Sequence, residues 1–319
     1  MGRRLEVTTD VSNETEPLTE VWRTSERLHT DDATRDLLIA LAEDDDAIGD
    51  VITGLGARAP GNGSVWASGR ARTDGTAALL KLGARPSERE WMTGADAAGQ
   101  NLVPRVFGSG EIRGVGWLVL ERCDIVFDRA SPSDVAAVVS AAARWQRAAT
   151  AIDAAAPLMD SAELREALEV AAAMSCPGDI AGLIDRLDRT WELVVNECGL
   201  TPSHGDVHTA NAVARHAAGV ALLIDPMPTT TVWPWDGAYL QAMLAPYQRF
   251  DPAAAGGGLV YALARERRSI GLPASERQLH RIGRIVLAWA AAVWWRMAPW
   301  RHENRNWSGW VERTVTAAA

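Results

Sequence analysis

Apolar and polar residues follow two different periods along the chain, and the period changes near residue 130. Before that point, alternating and short apolar runs predict strands at Ser64–Ala71, Ala77–Leu82, Val103–Gly108 and Gly116–Leu120. Asp74-Gly75 predicts a hairpin turn between the first two strands. A helix is predicted from Ser87 to about Gly99, between the second and third strands. These elements indicate a small antiparallel sheet with one helix.

Beyond residue 130, apolar residues recur at helical spacing. The predicted helices span Ser133–Ile152, Ser161–Met174, Asp179–Cys198 and Ile282–Met297. We expect Ser133 and Ser161 to cap the first two helices, and Gly199 to end the third. A strand-rich part followed by a helical part predicts an α+β fold.

Composition and charge exclude several classes of protein. None of the apolar runs in the 319 residues reaches the roughly 20 residues of a membrane span, the start lacks a signal-peptide pattern, and three cysteines show no metal-ligand spacing. Residues 1–50 hold 14 acidic and 5 basic residues, a net charge of −9, and the rest sums to zero. We therefore expect a cytoplasmic protein that binds neither membrane nor nucleic acid, with a solvated acidic arm that is helical from Glu20 to Glu43.

The basic residues single out one position. Of 32 basic residues, 31 are arginine and one is lysine, Lys81, near the end of a predicted strand. A lone lysine indicates a site that requires a compact ammonium instead of a forked guanidinium. Glu88 and Glu90 in the following helix both lie within reach of it. The turn Gly61-Asn62-Gly63-Ser64, before the first strand, is a weak signal for a backbone that approaches a phosphate.

A second group of polar residues follows the helical region. Ser203-His204-Gly205-Asp206-Val207-His208-Thr209-Ala210-Asn211 precedes the apolar strand that ends at Asp225. Phosphoryl transfer needs one carboxylate to take the proton of the attacking hydroxyl, and an amide and a second carboxylate to hold Mg²⁺. Asp206, Asn211 and Asp225 supply that set. For the two histidines we expect structural roles, because this mechanism requires neither to titrate.

The motif His-Gly-Asp-x-His-x-x-Asn followed by Ile224-Asp225-Pro226 resembles the aminoglycoside phosphotransferase family, and within it the branch of streptomycin and hydroxyurea phosphotransferases. The pairing of Val65-Trp66, Asp74-Gly75 and Lys81 is similar to that branch as well. The resemblance implies a bilobal protein-kinase-like fold. It divides the chain into an acidic arm at 1–46, a nucleotide-binding N-lobe at 47–121 and a catalytic, acceptor-binding C-lobe at 122–319.

The resemblance also implies roles for the matching residues. Asp206 would be the catalytic base, and Asn211 and Asp225 the Mg²⁺ ligands. Lys81 would contact the ATP phosphates, held by Glu90 in preference to Glu88. Further expected contacts are the glycine turn at Gly63 and Ser64 with the phosphates, the backbone of Glu121–Cys123 with adenine, and Asp236 as a support for the catalytic loop.

The acceptor is a separate question. Residues 265–319 hold ten arginines and four glutamates, a net charge of +6 that disfavours a polycationic aminoglycoside. We expect aromatic contacts to the acceptor from Trp233, Trp235 and Trp295, unless these side chains belong to the core. The expected activity is ATP-dependent transfer to a hydroxyl of a small-molecule antibiotic, with a nucleoside antibiotic as the leading candidate, by a monomer or homodimer. The alternatives are a metabolic kinase acting on choline, homoserine or a sugar, and a non-catalytic nucleotide-binding scaffold.

Overall fold

The computed structural model describes residues 32–56, 58–60, 64–99, 101–216, 219–245, 258–274 and 278–319. The predicted helical stretch 20–31 and the glycine turn 61–63 lie outside the described residues. The chain divides into two compact units. One contains the chain up to Arg89 together with Val106–Arg122, and the other contains Glu90–Arg105 together with Cys123–Ala319.

An antiparallel sheet of six strands forms the first unit. Its strands are β1 (Ile52–Thr53), β2 (Arg58–Pro60), β3 (Val65–Ala71), β4 (Ala77–Leu82), β5 (Val106–Ile112) and β6 (Val115–Glu121). The order across the sheet is β1-β3-β4-β6-β5. Strand β2, like β1, pairs with β3. The Asp74-Gly75 turn joins β3 to β4 as predicted, and Gly75 takes the positive φ of 73° that such a turn requires.

The predicted strand at Val103–Gly108 is displaced, since β5 begins at Val106. Pro104 has no N–H to donate to a ladder, and the Leu102 carbonyl accepts a hydrogen bond from the Leu223 N–H at 2.7 Å. The segment before β5 therefore belongs to the second unit.

Two short helices, α1 (Asp32–Glu43) and α2 (Asp46–Gly49), precede the sheet. Leu38, Ile39 and Ala42 of α1 are buried in the same apolar cluster as the inner face of the sheet. The expectation of a solvated arm is thus wrong for the part of the arm that the structure describes, because the apolar side of α1 is covered.

The second unit is mainly helical. Its elements begin with α3 (Pro86–Ala97), which crosses from the first unit, and continue with α4 (Pro132–Ala149), α5 (Ser161–Ala173), α6 (Ile180–Asp185), α7 (Leu187–Cys198), α8 (Trp235–Leu244), α9 (Gly258–Ser269), α10 (Leu279–Met297) and α11 (Arg305–Thr316). Two small antiparallel sheets complete it, β10-β9-β7 and β11-β8, with strands β7 (Ile125–Val126), β8 (Leu200–Ser203), β9 (Ala212–Ala214), β10 (Leu222–Leu223) and β11 (Thr229–Val232).

The helix ends differ in detail from the predicted ones. Ser131, not Ser133, caps α4, since Pro132 occupies the first helical position. Asp160, not Ser161, caps α5 with two hydrogen bonds. The predicted helix 179–198 is broken at Arg186 into α6 and α7, and Gly199 ends α7 as expected, with φ of 71°.

None of the described helices combines the length and apolar character that a membrane span requires. The three cysteines are free thiols, and burial raises the pKa of Cys176 and of Cys198 to about 12. These two thiols are therefore neutral and poorly nucleophilic at neutral pH.

The close backbone approach between Gly116 in β6 and Ala84 predicts that a methyl group added at Gly116 destabilises the fold. A Cβ at Gly116 would lie 2.0 Å from the Ala84 carbonyl oxygen, in a close backbone approach just before α3. Gly116→Ala should therefore lower the free energy of unfolding by at least about 1–3 kcal/mol in urea titrations. Gly49→Ala is the control, because a Cβ there meets nothing within 4 Å. Equal stability of the two variants would contradict this packing.

Candidate active site

The loop between β8 and β9 carries the predicted catalytic residues. Gly205 lies in it with φ of 81°, and a Cβ at this position would come within 1.8 Å of the Met227 carbonyl oxygen. The Met227 N–H in turn donates to the His204 carbonyl at 2.8 Å. Glycine is thus required here by both the backbone angle and the close approach of the segment after Asp225.

Both carboxylate oxygens of Asp206 are held by neighbouring donors. The Asn211 side-chain nitrogen donates to Asp206 Oδ2 at 2.8 Å and to the Asp206 carbonyl at 3.1 Å. The Tyr239 hydroxyl donates to Oδ1 at 2.9 Å. The Asp206 side chain is nevertheless 21% exposed, so that its carboxylate is partly open to solvent.

The charge state of Asp206 follows from these contacts. Burial acts to raise its pKa, but the hydrogen bond and charge of His208, together with the Tyr239 hydroxyl, hold the pKa below the ordinary value. His208 Nδ1 accepts from the Ala210 N–H at 3.1 Å, which leaves the proton on Nε2, 3.6 Å from Asp206 Oδ2. Asp206 is therefore a carboxylate at neutral pH.

His204 has the structural role that we expected. Its side chain is buried, and its ring meets the Trp145 ring edge-on with centroids 4.8 Å apart. Trp145 also stacks against Trp91, with ring centroids 5.7 Å apart. Burial lowers the pKa of His204 to about 4, so its ring is neutral at physiological pH.

Asp225 follows β10 and lies beside the loop. The Ile224 N–H donates to the Asn211 carbonyl at 2.9 Å, which places Asp225 next to Asn211. Asp225 adopts a left-handed backbone with φ of 55°, a conformation that aspartate tolerates better than most residues. The chain turns sharply there, at the position predicted for a metal ligand.

The side-chain oxygen atoms of Asn211 and Asp225 suit Mg²⁺. Because the Asn211 nitrogen faces two acceptors, its amide orientation is fixed and Oδ1 is the atom available to a cation. Asp225 adds a carboxylate. Mg²⁺ usually keeps several waters and takes few protein ligands. Among the described residues no group of three or more His, Cys, Asp or Glu side chains could hold a metal ion.

A buried polar chain supports the loop from behind, and Asp236 lies at its centre. The Ser203 hydroxyl donates to Asp236 Oδ1, and the Gln146 side-chain nitrogen donates to Oδ2 at 2.8 Å. Arg267 donates to the Gln146 side-chain oxygen, and its guanidinium lies 4.9 Å from the Trp233 ring. The expected support of the loop by Asp236 is thereby confirmed, since Ser203 also accepts from the Gly205 N–H at 3.1 Å.

In the first unit, Lys81 forms a buried ion pair with Glu88. The Nζ–Oε1 distance is 2.6 Å, and the two residues are 5% and 4% exposed. The preference for Glu90 as the partner is wrong, because Glu90 lies on the exposed side of α3. Lys81 Nζ also lies 5.3 Å from the Trp66 ring centroid. The ammonium is therefore held by a carboxylate and an aromatic face.

The remaining residues predicted to contact the nucleotide are less fully defined. Ser64 is buried, and its hydroxyl accepts from the Trp66 indole N–H at 3.0 Å, while its own O–H is still able to donate. Gly63 lies outside the described residues. Glu121 ends β6, and Cys123 begins the second unit's main segment, so their predicted contact with adenine stays a prediction.

The tryptophans predicted to contact the acceptor belong to the core. Trp233, Trp235 and Trp295 are 2%, 4% and 4% exposed. Trp295 is stacked on His302, with ring centroids 3.8 Å apart, and donates to the Met174 carbonyl at 3.1 Å. The prediction that they bind an acceptor is wrong, since helix packing covers their rings.

Sequence reasoning missed four residues of these two sites: Trp66, Tyr239, Gln146 and Arg267. A signal existed for two of them. Trp66 and Lys81 are cross-strand partners on the two strands that the predicted Asp74-Gly75 turn joins, and Tyr239 lies one helical turn after Asp236, on the same side of α8. Gln146 and Arg267 carry no local signal because their partners are distant in sequence.

Comparisons with known proteins give the fold. No protein-family model and no curated protein sequence matches this chain. A choline/ethanolamine kinase family protein from Mesorhizobium loti matches in structure with a TM-score of 0.58 at 14% identity, covering 89% of this chain and 92% of that one. An ethanolamine kinase from Plasmodium vivax matches with a TM-score of 0.55 at 11% identity, over 98% and 96% of the two chains.

A third similar structure is an aminoglycoside phosphotransferase from Streptomyces rimosus in complex with ADP and streptomycin. It has a TM-score of 0.52 at 17% identity and covers 82% of this chain and 99% of that one. The chain therefore has the α+β protein-kinase-like fold of choline/ethanolamine kinases and aminoglycoside phosphotransferases, as predicted. The streptomycin and hydroxyurea branch is not singled out by these likenesses.

The buried chain behind the loop yields a stability prediction. Burial lowers the pKa of Arg267 to about 10, yet it remains charged at neutral pH beside the buried Asp236. Arg267→Met leaves Gln146 and that carboxylate without their cation, and should lower the free energy of unfolding by about 3 kcal/mol. The neighbouring exposed Arg268→Met is the matched control and should change it by under about 1 kcal/mol. Comparable urea midpoints for the two variants would refute the role of the buried chain.

Proposed function

We propose that the protein is an ATP-dependent phosphotransferase that acts on a hydroxyl group of a small molecule. The observation that carries the proposal is the arrangement around Asp206: an ionised, partly exposed carboxylate, oriented on both oxygens by Asn211 and Tyr239, next to Asp225. A carboxylate fixed in this way can orient a hydroxyl and accept its proton.

In the proposed reaction, the acceptor hydroxyl donates its hydrogen bond to Asp206. As the hydroxyl oxygen forms its bond to the γ-phosphorus, its proton passes to the Asp206 carboxylate, and the bond between that phosphorus and the β–γ bridging oxygen breaks to release ADP. Asn211 Oδ1 and the Asp225 carboxylate would hold Mg²⁺, whose charge would offset that of the phosphates.

Lys81 supplies a further positive charge for the nucleotide in this proposal. Glu88 and the Trp66 ring fix the position of its ammonium, which suits a contact with ATP phosphates. The backbone of Glu121 and Cys123 is proposed to bind adenine, and the turn at Gly63 and Ser64 to approach the phosphates. Lys81, Asp206, Asn211 and Asp225 together supply the groups that phosphoryl transfer needs. This set favours a catalytic protein over a non-catalytic scaffold.

For the acceptor, we propose a hydroxylated antibiotic that is neutral or weakly charged, such as a nucleoside antibiotic, instead of a polycationic aminoglycoside. The aromatic part of that expectation is lost with the buried tryptophans, so the proposal rests on the net charge of +6 over residues 265–319. Positive charge in this part of the chain disfavours a cationic acceptor.

A metabolic kinase is the second candidate, and the likeness in fold to choline and ethanolamine kinases favours it. The same positive charge makes choline a poorer acceptor than homoserine or a sugar. The catalytic groups of the two candidates are identical, so only the acceptor separates them.

A coupled assay of ADP release tests the proposal. With ATP and Mg²⁺, we expect turnover with one compound from a panel that contains a uridine-type antibiotic, streptomycin, choline, homoserine and hexoses. Turnover with an antibiotic supports the first candidate, and turnover with a metabolite supports the second. Asp206→Ala should reduce kcat by about 10²- to 10⁴-fold while nucleotide binding, measured by calorimetry, is retained. Full activity of this variant would remove Asp206 from its role.

The Tyr239 hydroxyl predicts a shift in pH dependence. Asp206 acts as a carboxylate, so kcat/KM should fall as the pH drops through its pKa, which the Tyr239 hydrogen bond helps to keep low. Tyr239→Phe removes that donor, so the pKa should rise and the acidic limb of the pH–rate profile should move to higher pH. An unchanged acidic limb would show that the hydroxyl does not influence the base. Trp235→Phe, which alters a ring beside Tyr239 without removing its hydroxyl, is the control.

A further inference from the structure

Four arginines surround a cavity in the second unit that the proposed phosphoryl transfer does not use. The cavity has a volume of about 540 Å³, within the range of small-molecule sites. Arg186 and Arg189 line it from the start of α7, and Arg281 and Arg284 from α10. Each pair is spaced three residues apart, so that both members lie on one side of their helix.

Two of the four arginines lie in the first turn of a helix. Arg189 lies in the first turn of α7 and Arg281 in the first turn of α10, with Arg284 one turn later, whereas Arg186 is both the C-cap of α6 and the N-cap of α7. A helix N-terminus already carries a partial positive charge, which disfavours basic residues there. Neither α7 nor α10 begins with a side-chain capping hydrogen bond.

The positive charge is not offset locally. None of the described residues that line the cavity is acidic. The four arginines are exposed, and the described part of the chain contains no ion pair to any of them. Asp188, the acidic residue in the first turn of α7, pairs with Arg165 at 3.0 Å. Four guanidinium groups therefore line one concavity without an acidic side chain among its described lining residues, and the C-terminal end of α11 at Ala317 and Ala318 adds only a partial negative charge.

The cavity is separate from the catalytic loop. Trp294 contacts Tyr239, whose hydroxyl binds Asp206. Arg284 precedes Trp294 by ten residues on α10, which corresponds to about 15 Å along the helix axis. A ligand between Arg281 and Arg284 would therefore lie well away from the base.

We propose that this cavity is a second binding site, for a small molecule that carries two or more phosphate groups. Guanidinium groups bind phosphate oxygens in paired, charge-assisted hydrogen bonds. Four of them match the charge of a diphosphate or triphosphate. Leu193 and Ile285 provide an apolar wall for the organic part of the ligand.

Isothermal titration with inorganic pyrophosphate, in low-salt buffer with EDTA, tests this site. We expect one equivalent to bind to the wild type and to Lys81→Met, which lacks the proposed phosphate contact of the active site. Arg281→Gln/Arg284→Gln should bind at least tenfold more weakly. Arg296→Gln/Arg305→Gln removes two exposed charges outside the cavity and is the matched control, with binding as in the wild type.

Thermal unfolding of the same variants without anions gives an independent readout. Arg281→Gln/Arg284→Gln should unfold at the same temperature as the wild type or higher, since it relieves repulsion at the helix ends. A lower temperature, no pyrophosphate binding by the wild type, or unweakened binding by this variant would overturn the proposal. Equally tight binding of citrate would overturn the assignment to phosphate groups.

Discussion

The second unit depends on one buried carboxylate. Asp236 is 1% exposed, and burial raises its pKa, while hydrogen bonds from Ser203 and Gln146 oppose that rise. A carboxylate in the interior is costly unless donors surround it, and these donors come from β8 and α4, with Arg267 of α9 behind Gln146. Four elements are thereby fixed to one another at the position where the loop of Asp206 begins. The hydrogen bonds to Asp236 therefore help to fix the conformation of this loop.

The geometry around Asp206 is built on this support in two further steps. Gly205 permits the backbone of Met227 to approach closely, which aligns the segment after Asp225 with the loop. Tyr239 lies one turn after Asp236 on α8, so that the helix fixed by the buried carboxylate also delivers the hydroxyl to Asp206. Asp206, Asn211 and Asp225 thus share one framework.

The sequence predicted the parts whose signals are local. The strands around Asp74-Gly75, the helix end at Gly199 and the fold class are confirmed, because periodicity and turn residues determine them over short distances. Details that depend on competition between neighbours were wrong, such as the predicted cap at Ser133, which is Ser131 in the structure, and the predicted partner of Lys81. Glu88 and Glu90 differ by about 200° around a helix, so only the direction of α3 relative to β4 selects the buried one.

The burial of Trp233, Trp235 and Trp295 could not be predicted from the sequence. It shows that aromatic and basic residues differ in what they indicate about a binding surface. A helix such as α10, apolar around most of its surface, takes up Trp289, Trp294 and Trp295 as core residues, so aromatic content alone does not indicate a binding surface. Arginine is different, because solvation of its charge does not require a concave surface and a helix N-terminus repels it. Arg186, Arg189, Arg281 and Arg284 are therefore informative where the tryptophans are not: four exposed guanidinium groups line one cavity that contains no acidic side chain among its described lining residues, and an anionic ligand would supply the missing charge.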